Sequence, residues 1–379
     1  MVNVDPPACK KVVFCTGAPG NGRDIYLQRV IEHAKKNGKS VQIFPVFEYI
    51  RRAGQEKGWT ITRENVLDLY LHNSDKMKQF RDTALDNIFK EVLASTADAC
   101  LISTPSVFEW KGASMFGFET EHVRKLKPDF IVVVIDDLVR VRERLGQDPE
   151  WRDKEYSLEM IAKWRRTGVD HVWETKYEFE PPIQTYIIAL EHDPDVLFDL
   201  LFTDKKKVYL SFAITGEQAV ELSKVLEFAK ELGKQFVVFN PLTIFDWNLI
   251  SGWKTLVDKS VESATRIPES FNCTIHYKTG DKTYPCASSE IKEIMVDARQ
   301  QIVDRDYKMI SSSDYLVAYH PRKDISAGVM CEMVHAKRDL KKVYAYYPFV
   351  PSPWFEFYAD RIFTDYRELL KWLPTVANN

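Results

Sequence analysis

The sequence predicts an α/β protein of two domains, each a doubly wound parallel sheet. Three observations carry that reading. Short apolar runs alternate with amphipathic stretches, the pattern of parallel strands covered by helices. The alternation comes in two series that meet at the charged run TDKKK (203–207). A chain of 379 residues also exceeds the roughly 100–200 residues of one ordinary domain.

The first series opens with the strand KVVFC (11–15), then a helix over 23–37 and the strand SVQIFPV (40–46). An amphipathic stretch (62–95) leads to ACLIST (99–104) and DFIVVVID (129–136), then to an Arg-rich helical region and TYIIALE (185–191). The second series runs from KVYLSFA (207–213) through a helix (216–232) to QFVVFNP (235–241). After a turn-rich insertion (242–287) come a helix (288–312), the strand DYLVAYH (314–320), a helix (328–338) and KVYAYYP (342–348). Domains of 1–204 and 205–379 are expected.

Composition narrows the partners. Lys and Arg number 52 against 55 Asp and Glu, a net charge of −3, so no overall basic field holds nucleic acid or an anionic membrane. The start MVNVDPPACKK has no apolar leader, and FIVVVI (130–135) is far too short to span a bilayer. A cytoplasmic protein with no membrane partner is expected. The six cysteines (9, 15, 100, 273, 286, 331) make no CxxC and no zinc-spaced Cys/His pair, so no metal site is expected. Cys15 and Cys100 read as core residues. Cys273 and Cys286 flank a turn, but a reducing compartment disfavours a disulfide between them.

Two segments carry chemistry. The first, KVVFCTGAPGNGRD, takes a buried-type strand through Gly17, Gly20, Asn21 and Gly22 into a helix. Glycines there let the backbone and a helix N-terminus approach an anion. The spacing fits the first six positions of a phosphate-binding loop, but Arg23 and Asp24 stand where Lys and a magnesium-binding Ser or Thr belong. The planar fork of Arg23 suits a phosphate; Asp24 sets a carboxylate beside it. Further on, IDDLVRVRERL spaces Arg140, Arg142 and Arg144 along a helix, and KWRR holds Lys163, Arg165 and Arg166. Together with LISTPSVFEWKG, these motifs resemble the adenylate-kinase-like branch of P-loop kinases over residues 11–201. The resemblance implies nucleotide binding at Gly17, Gly20, Asn21, Gly22, Arg23, Asp24, Arg140 and Arg144. ATP and magnesium are expected as cofactors only if this domain turns nucleotide over.

The second segment is DRDYKMISSSDYLVAYHPRKDISAGVMCEMVHA (304–336). Its loop after the strand lies where doubly wound sheets bind ligands, and the apolar neighbours in VMCEMVHA predict a half-buried Glu332. Asp-x7-Asp (Asp306, Asp314), then Ser-x-Gly-x-x-x-Glu-x-x-x-Ala (Ser326, Gly328, Glu332, Ala336), with Tyr209 in VYLSFAITG, resembles the nucleoside 2-deoxyribosyltransferase superfamily over residues 207–348. Ser326 makes it similar to the 2'-deoxynucleoside 5'-monophosphate N-glycosidases. The resemblance implies a flavodoxin-like fold, Glu332 as nucleophile, and Asp306 as the group that orients it and shares protons with the leaving base. It also implies an active-site Tyr209, with Ser326 and Gly328 holding a 5'-phosphate or 5'-hydroxyl. Ala213 and Thr215 stand where the family grasps phosphate with Ser and Arg. Asp314 either borders the pocket or opens its strand, and His320 and His335 read as loop and helix-face histidines. Trp247 or Trp253 of the insertion would cover the pocket.

The expected activity is cleavage or exchange of the N-glycosidic bond of a nucleotide or nucleoside, with no cofactor, in a homo-oligomer that completes its pockets with a neighbouring subunit. The alternatives are a nucleotide kinase or ATPase with a regulatory second domain, or a non-catalytic nucleotide sensor.

Overall fold

The computed structural model describes residues 11–152, 154–214, 219–252, 274–279 and 282–377. The strands of its first half are β1 (Lys11–Thr16), β2 (Val41–Pro45), β3 (Ala99–Ser103), β4 (Val107–Trp110), β5 (Ala113–Phe116), β6 (Phe130–Ile135) and β7 (Gln184–Ala189). There follow β8 (Lys207–Ser211), β9 (Val237–Phe239), β10 (Thr274–Thr279), β11 (Lys282–Ala287), β12 (Tyr315–Tyr319), β13 (Lys342–Tyr346) and β14 (Arg361–Phe363). Two five-stranded parallel sheets flanked by helices result, with orders β2-β3-β1-β6-β7 and β14-β13-β12-β8-β9, as the strand–helix alternation predicts.

Central parallel strands are covered on both faces and so need unbroken apolar runs. β3 and β6 are buried throughout, and β1 is buried beyond its first residue. The helix Arg23–Lys36 packs Tyr26, Leu27, Val30 and Ala34 inward. Cys15 and Cys100 are fully buried free thiols, and burial pushes Cys15 up to about 12, which leaves it unreactive.

In the first sheet the chain turns to one side after β1 and to the other after β3, so the carboxyl ends of those strands flank a topological switch point. The second sheet, counted in chain order, reads 2-1-3-4-5 from β9 to β14, the flavodoxin-like order, with its switch between β8 and β12. Its core gathers Val208, Leu210, Phe228, Leu232 and Val317.

The compact units do not follow a single cut at 204/205. One comprises Met1–Glu191 and Ile244–Ile302, the other His192–Thr243 and Val303–Asn379. The helix Pro194–Phe202 packs against β9 and so belongs with the second sheet. Residues 244–302 join the first unit through polar contacts that sequence continuity hides. The Phe245 N–H donates to Asp137 at 2.6 Å, Asp246 pairs with Arg165 at 2.6 Å, and Glu290 pairs with Arg142 at 2.8 Å. Cys273 and Trp253 lie outside the described residues, Trp247 belongs to the segment joined to the first unit, and Cys286 is a buried free thiol. Among the described residues no helix is long and apolar enough to cross a membrane.

Gly17 has φ +150°, and a Cβ there would strike the Asn21 side chain and the Val134 carbonyl oxygen. Gly17→Ala is therefore expected to cost about 2 kcal/mol or more, read as a lowered urea midpoint; an unchanged midpoint would show that glycine is not what this turn requires.

Candidate functional site

Alternation along β8 sends Val208 and Leu210 into the core and leaves Tyr209 and Ser211 together on the other face. Both are fully buried. The helix Ala327–Arg338, entered from the loop after β12, buries Val329, Met333 and Ala336 and brings Glu332 to β8. The Tyr209 hydroxyl donates to Glu332 Oε1 at 2.9 Å, and the Ser211 hydroxyl donates to Oε2. Both oxygens of the carboxylate are thus held, at the switch point between β8 and β12.

Asp306, on the helix Ser288–Ser311, is buried and accepts a hydrogen bond from Arg305 Nε at 2.9 Å. Burial pushes Glu332 from 4.5 up to about 8; the Asp306 charge adds to the rise, while Ser211, Tyr209 and Arg305 oppose it. Burial also raises Asp306 against the pull of Arg305, and lifts Tyr209 well above 10. Two carboxyl groups removed from water beside one guanidinium cannot both ionise cheaply, so the pair keeps a proton to higher pH than either would alone.

Ser326 is the N-cap of the Glu332 helix and makes no side-chain cap hydrogen bond, and Gly328 is exposed in the first turn. Ala213 is buried just beyond β8, and Thr215 lies outside the described residues. Asp314 is not brought to this edge. It accepts from the Lys207 N–H at 2.8 Å and pairs with Lys207 Nζ at 3.0 Å, fastening the starts of β8 and β12 at the far end of the strands. His320 is a core residue rather than an exposed loop histidine. It is fully buried, stacks on Tyr347 at 5.8 Å, and has Nε2 3.0 Å from the Asp324 carbonyl oxygen, which braces the loop leading to Ser326. Its burial lowers its pKa. His335 stacks on Tyr307 at 3.9 Å.

In the glycine loop of the first unit, Gly17, Gly20 and Gly22 are all at positive φ. Asn21 is turned inward. Its amide donates to the Val134 carbonyl and its side-chain oxygen accepts from the Arg23 N–H at 3.0 Å, so it braces the loop. A cleft of about 390 Å³ opens beside it.

The arginines spaced for phosphate are otherwise engaged. Arg23 Nε donates to Ser103 Oγ at 2.7 Å and meets Asp24 at 3.2 Å, and Ser103 donates to Asp24 at 2.7 Å. The Arg23 charge holds Asp24 below the ordinary aspartate value. Arg144 donates to the Gly20 carbonyl and pairs with Asp136. Arg140 pairs with Asp136 at 3.3 Å and with Glu191, and does not line the cleft. Lys163 meets Glu109 at 2.7 Å, and Arg166 pairs with Asp297. Magnesium-nucleotide does not fit these residues. Asp24 stands where the metal-binding hydroxyl belongs and is bound by Arg23 and Ser103.

Two residues of interest escaped the sequence reading. Ser211 was legible from strand alternation, two positions after Tyr209. Glu150 was not: it sits in a polar run, yet lines the cleft, where burial pushes it from 4.5 up to about 7. In comparisons with known proteins, no family model and no curated protein matches the chain.

The raised Glu332 value links to stability. Between 4.5 and about 8 the folded state holds a proton that the unfolded chain has released, so this group's stabilising share is full below the unfolded value and is lost as pH rises through the folded one. Glu332→Gln is expected to flatten the fall in urea midpoint between pH 5 and pH 9; an identical fall in wild type and variant would show that Glu332 is not so perturbed.

Proposed function

We propose that the second unit cleaves or exchanges the N-glycosidic bond of a (deoxy)ribonucleotide or nucleoside, with Glu332 as nucleophile. The observation that supports this is the carboxylate of Glu332 held by Tyr209 and Ser211 at a switch point, where α/β sheets of this order bind ligands. Hydroxyl donors on both oxygens fix its direction without cancelling its charge by a cation. That suits a group that must approach a sugar carbon developing oxocarbenium character.

In this reading the ionised Glu332 attacks C1', the C1'–N bond breaks with its electron pair going to the base, and the proton retained by the Glu332–Asp306 pair is delivered to that base from Asp306. Water, or a second base, then takes the sugar from the Glu332 ester. Arg305, bonded to Asp306, balances the charge that this proton leaves behind. Ser326 and the first-turn N–H groups around Gly328 receive the 5' end of the sugar. The reaction needs no cofactor, and the substrate is a small molecule. Phosphate transfer by the first unit is not the reading favoured, because Arg23 and Asp24 satisfy one another.

The test is chromatography for free base after incubation with nucleosides and their 5'-monophosphates. Glu332→Ala is expected to abolish base release with an unchanged far-ultraviolet spectrum; release at the wild-type rate would sink the proposal. Tyr209→Phe removes one hydroxyl donor to the carboxylate, and about a 10–100-fold loss is expected from a charge-assisted hydrogen bond. Because the reaction uses the pair with one proton, Glu332 ionised and Asp306 protonated, the rate is expected to fall as pH rises through about 8, where the pair gives up that proton. Asp306→Asn takes away the proton the pair delivers and is expected to remove the falling limb even as it slows the reaction. A limb that stays in place would refute the coupling.

A further inference from the structure

The cleft of the first unit has the wrong electrostatics for the ligand its glycine loop suggests. Three guanidiniums line it, from Arg23, Arg63 and Arg144, against three carboxyl groups, from Asp24, Asp148 and Glu150. Each guanidinium already meets a carboxylate: Arg23 meets Asp24 at 3.2 Å, Arg63 meets Glu150 at 3.6 Å, and Arg144 meets the fully buried Asp136. A phosphate at the loop would have to displace Asp24 from Arg23 and then lie beside it. Like charges held side by side repel, which works against what a single arginine contact contributes.

What remains is a space of about 390 Å³, within the roughly 300–1,000 Å³ of small-molecule sites. Its walls are aromatic. Phe47, Tyr70, Phe108 and Trp151 face it, and Phe108 packs edge-on against Trp151 at 5.2 Å. Rings of this kind take a flat partner by stacked or edge contact. The polar groups are a balanced set of donors and acceptors, among them the Ser103 hydroxyl and the Asp24 carboxylate, which retains 60% side-chain exposure.

We propose that this cleft takes a flat heteroaromatic compound of nucleoside size that carries no phosphate. The loop keeps the glycine backbone of an anion site, and its charges are spent internally.

The experiment is calorimetric titration of the full chain with adenosine, guanosine, cytidine and uridine, each against its 5'-monophosphate, and with ATP plus magnesium. Binding is assigned to this cleft where Phe108→Ala or the half-buried Phe47→Ala weakens it tenfold or more; the second variant guards against misfolding of the first. At least one nucleoside is expected to bind in this way, tenfold or more tighter than its own monophosphate and unaffected by magnesium. Asp24→Asn, at an exposed side chain, is expected to raise monophosphate affinity at least tenfold. The proposal is overturned if no nucleoside binding responds to the Phe variants, if the responding binding is as tight for monophosphate or ATP, or if Asp24→Asn leaves phosphate affinity unchanged. Base release by the same variants is followed alongside, so that failure here leaves the reading of Glu332 untouched.

Discussion

A carboxyl group taken out of water must be offset by a cation, by hydrogen-bond donors, or by a proton, and how each half of this chain meets that requirement decides what it can do. In the first unit the offset is cationic. Asp136 lies just past the carboxyl end of β6, has no solvent exposure, and draws in Arg140 and Arg144. Arg165 donates to its backbone carbonyl. Removing either side of such a buried pairing costs several kcal/mol, so these arginines are parts of the scaffold. In the second unit Glu332 is held by two hydroxyls, and burial beside the Asp306 charge raises its pKa to about 8. Hydroxyls and protons can be given up during a reaction far more readily than a buried ion pair can.

That difference also explains which parts of the molecule were legible in its sequence. Unbroken apolar runs such as FIVVVI must be central parallel strands, and both sheets follow. The spacing of Ser326, Gly328 and Glu332 is local, within one loop and the first two helical turns, so it survives reading along the chain. The pairing of Arg140 with Glu191, or of Arg165 with Asp246, joins residues far apart in sequence. A regular Arg-x-Arg-x-Arg pattern looks identical whether its partners are phosphates or aspartates. The segment 244–302 was misassigned for the same reason, since continuity along the chain says nothing of the polar contacts with Asp137, Arg142 and Arg165 that hold it. Asp314 shows the converse. Its motif position suggests a pocket, but parallel strands have two ends, and its bonds to Lys207 place it at the end where ligands do not bind.

The glycine loop separates two things that a motif normally reports together. Positive φ at Gly17, Gly20 and Gly22 is a backbone property, set by the lack of a Cβ and by close contacts with Asn21, Leu145 and Leu190. The choice of ligand is a side-chain property, set at positions 23 and 24. Here the backbone carries three glycines at positive φ, while Arg23, Asp24 and Ser103 close on one another in a triangle of contacts between 2.7 and 3.2 Å. Backbone shape without free charge is a neutral surface, and the aromatic walls beside it then dominate what the cleft can hold.

In the reaction proposed for the second unit, the proton of the Glu332–Asp306 pair sets the order of events. With Glu332 raised to about 8 and Asp306 also raised, the pair enters a neutral solution carrying a proton. Placed on Glu332, that proton silences the nucleophile. Placed on Asp306, it frees Glu332 to attack and leaves an acid ready for the departing base. Arg305 opposes the second arrangement by favouring charge on Asp306, whereas Tyr209 and Ser211 promote it by favouring charge on Glu332. A substrate whose developing positive charge lies beneath its sugar ring stabilises the ionised Glu332 most of all. Under the proposed reaction, binding in the reactive pose pulls the proton to Asp306, so that the group being attacked selects the protonation state that attacks it.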